Sequence, residues 1–136
     1  MFAGTLGEMA PPKVTMDDKL VLQIQSNKRY GAASTSEEFI RSERDFIELL
    51  TWGTNNETDL YLLMDTNFIP AFYDLSTGLA GEILQKVSNY RIRLAIFGPF
   101  PMITSERFRE LINESNKASS VRFFEEKVKA QSWLLS

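Results

Sequence analysis

Two hydroxyls between a carboxylate and a glycine make the segment from Asp74 to Gly81 the first place in this chain to look for chemistry. Ser76, Thr77 and Gly78 follow Asp74 where an irregular connection runs into a helical pattern. A helix start beyond the carboxyl end of a parallel strand presents free N–H groups and a positive dipole end, an arrangement suited to a phosphate or another anion. Ser76 and Thr77 would add hydroxyl donors there. The same residues also fit a plain helix cap, with Gly78 and Gly81 allowing a tight turn and close helix packing. Neither a P-loop nor a dinucleotide fingerprint accompanies them.

A second segment, Phe97 to Ile103, is broken by Gly98, Pro99 and Pro101 and so reads as a loop. It carries Phe100 and Met102, whose ring and thioether suit a partner-binding patch or can fold back on the core. Asp74, Phe100 and Met102 are therefore the candidate partner surface. Asp65, Asp74 and Glu82 are the carboxylates that could gather for a divalent cation or acid–base work, although each has an ordinary role as strand end, turn or helix residue. Glu82 and Lys86 stand four apart and make a helical ion pair. Asn116 reads as the polar stop of a helix, and Arg91 and Arg93 as the solvated start of a strand.

The chain has no histidine and no cysteine. Imidazole-based triads, thiolate nucleophiles, disulfides and zinc sites of ordinary composition are thereby excluded. A net charge of −3 over 136 residues offers no basic stripe for a phosphate backbone, so nucleic acid is not an expected partner. Nothing implies a cofactor. The hydrophobic fraction of 43% and charged fraction of 24% match a soluble globular domain. No apolar run is long enough for a transmembrane helix, and residues 1–12 lack the basic and apolar regions of a signal peptide. The expectation is a cytoplasmic protein with a flexible leader over 1–12 and a single domain over 13–136.

The elements that would position these residues follow from periodicity. Val14 to Met16 and Leu20 to Gln25 flank Asp17 and Asp18, a turn-favouring pair, and predict an antiparallel hairpin. Ser42 caps a helix over 43–51 that stops at Gly53, with Phe39 and Ile40 anchoring the loop before it. Leu60 to Met64 is a continuous apolar run typical of a central strand. Ser76 or Thr77 caps the next helix, whose core stripe is Leu79, Ala80, Ile83, Leu84 and Val87 and whose end lies near Asn89. Arg91 to Phe97 is a second central strand. A helix over 105–116, a strand over 121–124 and a closing helix over 126–135 complete the chain. Alternation of this kind calls for right-handed crossovers and a mixed, largely parallel sheet of about five strands with helices packed on it.

From about residue 38 onward the chain resembles a bacterial family of small proteins known only as a domain of unknown function. The resemblance is carried by residues 72–86, by Asn89 and Tyr90, and by residues 108–116; it implies a family and no activity. Residues 74–81 and the element order are also similar to STAS domains, the group of the sporulation anti-sigma-factor antagonists. In those domains a strand leads into a helix start that carries a phosphorylated serine. That resemblance implies a STAS-like α/β fold and a modification at Ser76 or Thr77. Leu75 interrupts the motif, Ala80 replaces a glycine, and the connection from Met64 is longer than in STAS domains.

With no catalytic inventory in view, the sequence points to a regulatory or protein-interaction module rather than an enzyme. A small-anion or nucleotide binder at Ser76 to Gly78, with modest enzymatic activity at most, is the alternative. A homodimer is compatible with either.

Overall fold

The computed structural model describes residues 15–136, so the leader expected over 1–12 and the strand start at Val14 lie outside it. Five strands form one mixed sheet in the order β1 (Leu20–Gln25), β2 (Lys28–Ala33), β3 (Leu60–Met64), β4 (Arg93–Phe97) and β5 (Val121–Phe124). β1 is antiparallel to β2, and every later pairing is parallel. The helices are α1 (Glu43–Asn55), α2 (Leu79–Asn89), α3 (Glu106–Ser115) and α4 (Lys127–Leu134).

Because each parallel strand lies beside its predecessor, right-handed crossovers put the three connecting helices on one face. Strand alternation sorts the core accordingly. Tyr61, Leu63, Leu94, Ile96 and Phe123 pack with α1, α2 and α3 residues such as Phe46, Leu49, Ile83, Val87 and Phe108. Tyr30, Leu62 and Ala95 face the other way and are covered by Ala130 and Leu134 of α4. β3 and β4, in the middle, are covered on both faces, which is why Leu60–Met64 and, after Arg93, Leu94–Phe97 read as apolar runs.

The hairpin is present, but one strand later than the sequence suggests. Met16–Asp18 is a short 3-10 turn, and β1 turns into β2 through Ser26 and Asn27, both in the left-handed region at φ 53° and 63°. Positive φ at both central residues is what a two-residue hairpin loop with matching twist requires. β2 escaped notice because Gly31, Ala32 and Ala33 have little intrinsic strand preference. Tertiary packing explains them: any side chain at Gly31 would run into the ring of Trp52, and the Trp52 indole N–H reaches Asp17 at 2.8 Å.

α1 begins at Ser42, whose Oγ accepts the Asp45 N–H at 3.2 Å. It does not stop before Gly53 but runs through it to Asn55. Gly53 is there for close approach rather than termination, since a Cβ would meet the Tyr61 phenol and the Thr58 carbonyl. The Tyr61 hydroxyl donates to the Leu49 carbonyl at 3.3 Å, and burial, with a smaller push from Asp59, holds this phenol far above its ordinary pKa.

Two expected surface roles also change. Lys86 pairs not with Glu82 but with Glu43 of α1 at 3.5 Å, joining two helices that share the sheet face. A half-exposed pair of this kind contributes at most about 1 kcal/mol. Arg93 is not a solvated strand start. Its guanidinium lies 4.2 Å from the Trp133 ring centre and donates to the carbonyls of Trp133, Leu134 and Ser136 at the end of α4, and to that of Ser119 before β5. Burial, then the neighbouring Arg122, lowers its pKa. Asn116 does end α3, and its amide also pairs with the β5 backbone at Phe123, accepting at 2.8 Å and donating at 3.3 Å. No helix among the described residues is long and apolar enough to cross a membrane.

Candidate functional site

In an open parallel sheet the loops at the carboxyl ends of the strands form the natural ligand face. Here three such connections meet: residues 34–42 after β2, 65–78 after β3, and 98–105 after β4. Asn67 ties the first two together. It is fully buried, accepts the Met64 N–H at 2.7 Å, and donates to the carbonyls of Thr35 and Glu37 at 2.8 and 2.9 Å. A single parallel bridge between Ile40 and Phe68 extends the junction.

Asp65 ties the second connection to the third. It is the first residue past β3, is 6% exposed, and accepts the Phe100 N–H on Oδ2 at 2.8 Å. Gly98 must be glycine for this: a methyl group on it would collide with the Asp65 carboxyl group, and its φ of 148° is one that side-chain-bearing residues rarely adopt. Phe100 itself is held at φ 53° although it is bulky and precedes a proline, two conditions that oppose a left-handed backbone. Strain of this type persists only where the surroundings over-determine it, and it is enriched at ligand clamps and switch regions.

Around this junction six aromatic rings touch in sequence. Phe68 and Phe72 are 4.4 Å apart, Phe72 and Tyr73 5.0 Å, Tyr73 and Phe108 5.3 Å, Tyr73 and Phe100 6.2 Å, and Phe100 and Phe123 5.6 Å. The Tyr73 hydroxyl donates to the Asp65 backbone carbonyl at 2.7 Å; burial and, secondarily, the Asp65 charge raise its pKa well above the ordinary phenol range. It is a structural donor and not an acid near neutral pH. Between the loops lies a cavity of about 260 Å³, lined chiefly by Phe68, Tyr73, Phe100 and Met102, with Asp65 in its wall and Glu38 at its edge.

The residues singled out by sequence fall into two neighbouring groups. Phe100 and Met102 line the cavity, and Met102 is 51% exposed at its mouth. Asp74, Ser76, Thr77 and Gly78 are exposed and follow Tyr73 away from it. The link between the groups is the Tyr73–Phe100 contact. The helix cap is Gly78, at φ 81°, rather than Ser76 or Thr77, which belong to a 3-10 turn over Leu75–Thr77 capped by Asp74. The Asp74 Oδ1 accepts both the Ser76 N–H at 3.0 Å and the Ser76 hydroxyl at 2.7 Å, and these two bonds lower its pKa. The Thr77 hydroxyl points to the carbonyls of Ala71 and Asp74 at 2.7 and 2.9 Å. An anion arriving here would meet a carboxylate and two hydroxyls already engaged with acceptors. Among the described residues no three carboxylates gather as a metal site.

Sequence reasoning passed over Phe68 and Tyr73, which line the cavity, and Asn67, which ties two of its loops together, and treated Asp65 as one carboxylate among three. The available signal was the crowding of Phe68, Phe72 and Tyr73 within a connection that shows neither helical nor strand period. Residues 25–134 match the family model described as Domain of unknown function (DUF4180). No curated protein and no solved structure matches the chain.

Proposed function

The chain belongs to the domain-of-unknown-function family DUF4180, and we propose that its work is regulatory binding rather than catalysis. In this reading a small molecule seats in the cavity under Phe100 and Met102, and the loop over 98–103 passes the bound state to a protein partner in the cytoplasm. Asp74, Ser76, Thr77 and Gly78 follow Tyr73 in the chain and are where a modification would bear on it, by analogy with the STAS domains that residues 74–81 resemble. The observation that carries the reading is Phe100, a strained aromatic wall residue held by a buried carboxylate over an apolar cavity. Absence of histidine and cysteine, with Tyr73 held protonated, leaves little for acid–base or nucleophilic work.

Thermal-shift screening with a chemically varied set of small molecules tests this. A compound at a hundred times its Kd adds roughly 2.7 kcal/mol to the native state. At least one class should stabilise the wild type and lose its effect in Met102→Trp, which fills the mouth of the cavity. If no compound raises Tm, or if Met102→Trp responds like the wild type, the reading is wrong.

A further inference from the structure

The two oxygens of the Asp65 carboxylate have different fates. Oδ2 takes the Phe100 N–H, whereas Oδ1 receives no donor among the described residues. Every fully buried side-chain nitrogen or oxygen among those residues has a partner, so an oxygen without one keeps contact with open space. For Asp65, a residue 94% removed from solvent, that space is the cavity it lines. A buried carboxylate beside the apolar part of this wall, Phe68, Tyr73 and Phe100, is costly unless its second oxygen is also paired.

The rest of the lining has one electrostatic sign. Glu38 supplies a second carboxylate at the edge, and among the described residues none that lines the cavity is cationic. Arg41 is nearby but donates to the Glu38 backbone carbonyl at 3.2 Å, and no ion pair joins the two side chains. Ring faces and edges of Phe68, Tyr73 and Phe100 supply apolar contact and, for a positive group, a favourable quadrupole. A divalent ion would find too few oxygens here, because such ions take six or more. An anion would find two carboxylates, with only the hydroxyls of Ser36 and Thr66 and no cation among the described lining residues to offset them.

We infer that the cavity recognises an organic cation: a protonated amine or amidinium that donates to Asp65 Oδ1, carried on a small apolar body that packs against Phe68, Tyr73 and Phe100. The inference rests on the reading of this cavity as the ligand site, and the experiment separates the two. Benzylamine, its neutral analogue benzyl alcohol, and benzoate are titrated into the full chain, wild type and variants, with binding followed by amide NMR shifts. Benzylamine should bind about tenfold tighter than the alcohol, the size of one charge-assisted hydrogen bond, and benzoate more weakly than either. Asp65→Asn keeps an acceptor for Phe100 but should bring the amine down to the level of the alcohol. Glu38→Gln, on the exposed edge, should weaken only the amine, by a few-fold.

If amine and alcohol bind alike while shifting the Phe100 and Met102 amides, the cation inference fails and the cavity survives as a ligand site. If none of the three probes moves those amides at millimolar concentration, both fail. An amine preference that persists in Asp65→Asn also overturns the inference. Should that variant not fold, the probe ranking on wild type and Glu38→Gln decides.

Discussion

Replacing Phe100 by glycine and by alanine isolates the strain at the cavity wall. Both variants lose the same ring, with its edge contacts to Tyr73 and Phe123, so the packing loss cancels between them. Both keep the N–H that Asp65 accepts at 2.8 Å. What differs is the backbone. At φ 53° a residue with a Cβ pays a left-handed penalty of roughly 1–2 kcal/mol that glycine does not. Glycine in turn gives up about 0.5–1 kcal/mol to its more flexible unfolded chain. The balance favours Phe100→Gly over Phe100→Ala by about 0.5–1 kcal/mol, or a few degrees in Tm for a domain of this size. At an ordinary position the order is opposite: the same pair of substitutions at Glu48, exposed on α1, should leave alanine ahead by about 1 kcal/mol. Urea denaturation of the four variants reads both differences directly. Alanine ahead of glycine at position 100 would refute the argument that this wall residue is strained.

Gly53→Ala should destabilise by about 2 kcal/mol or more despite alanine's helix preference, because its methyl meets Tyr61 and Thr58; adding Tyr61→Phe should recover part of the loss in the same urea assay. Asn67→Ala removes three buried hydrogen bonds at once and should cost roughly 2–4 kcal/mol, with amide shifts spreading to Glu38 and Phe68 on both sides of the cavity. Asp74 has a folded-state pKa below its unfolded one, so the stability it brings is present above the unfolded value and is lost as pH falls through the folded value. Ser76→Ala removes the larger of the two causes, and an NMR titration of the Asp74 carboxyl should then show a higher midpoint; an unchanged midpoint would contradict the assignment.

Much of the sheet was readable because burial writes itself into residue type. Leu60–Met64 and the Leu94–Phe97 part of β4 lie in the middle of the sheet and are continuously apolar, and the α2 stripe at Leu79, Ile83 and Val87 keeps the helical period. β2 was not readable, since Gly31 serves Trp52 and not its own strand. Gly53 looked like a helix end because a glycine required for closeness is indistinguishable, in one sequence, from one required for a turn. The candidate site was half legible. Phe100 and Met102 announced themselves as apolar residues among prolines, while Asp65 and Asn67 are ordinary polar residues whose importance comes from which distant backbone groups they hold. No local pattern encodes a partner 35 residues away, such as Phe100 for Asp65.

The strand order, each strand beside its predecessor, bears on how this chain acquires its structure. The β1–β2 pairing needs only a tight hairpin turn and each later pairing only one crossover, so the sheet can grow from β1 outward without waiting for distant segments, and such local topology favours fast folding. The exception is α4, which returns from the far edge to lie across β3 and β4. Until it docks, the apolar back of those strands at Leu62 and Ala95 is bare, and an intermediate with that surface open would be the species most prone to aggregate. In this molecule Arg93, gripping the last carbonyls of α4, is the latch on that step.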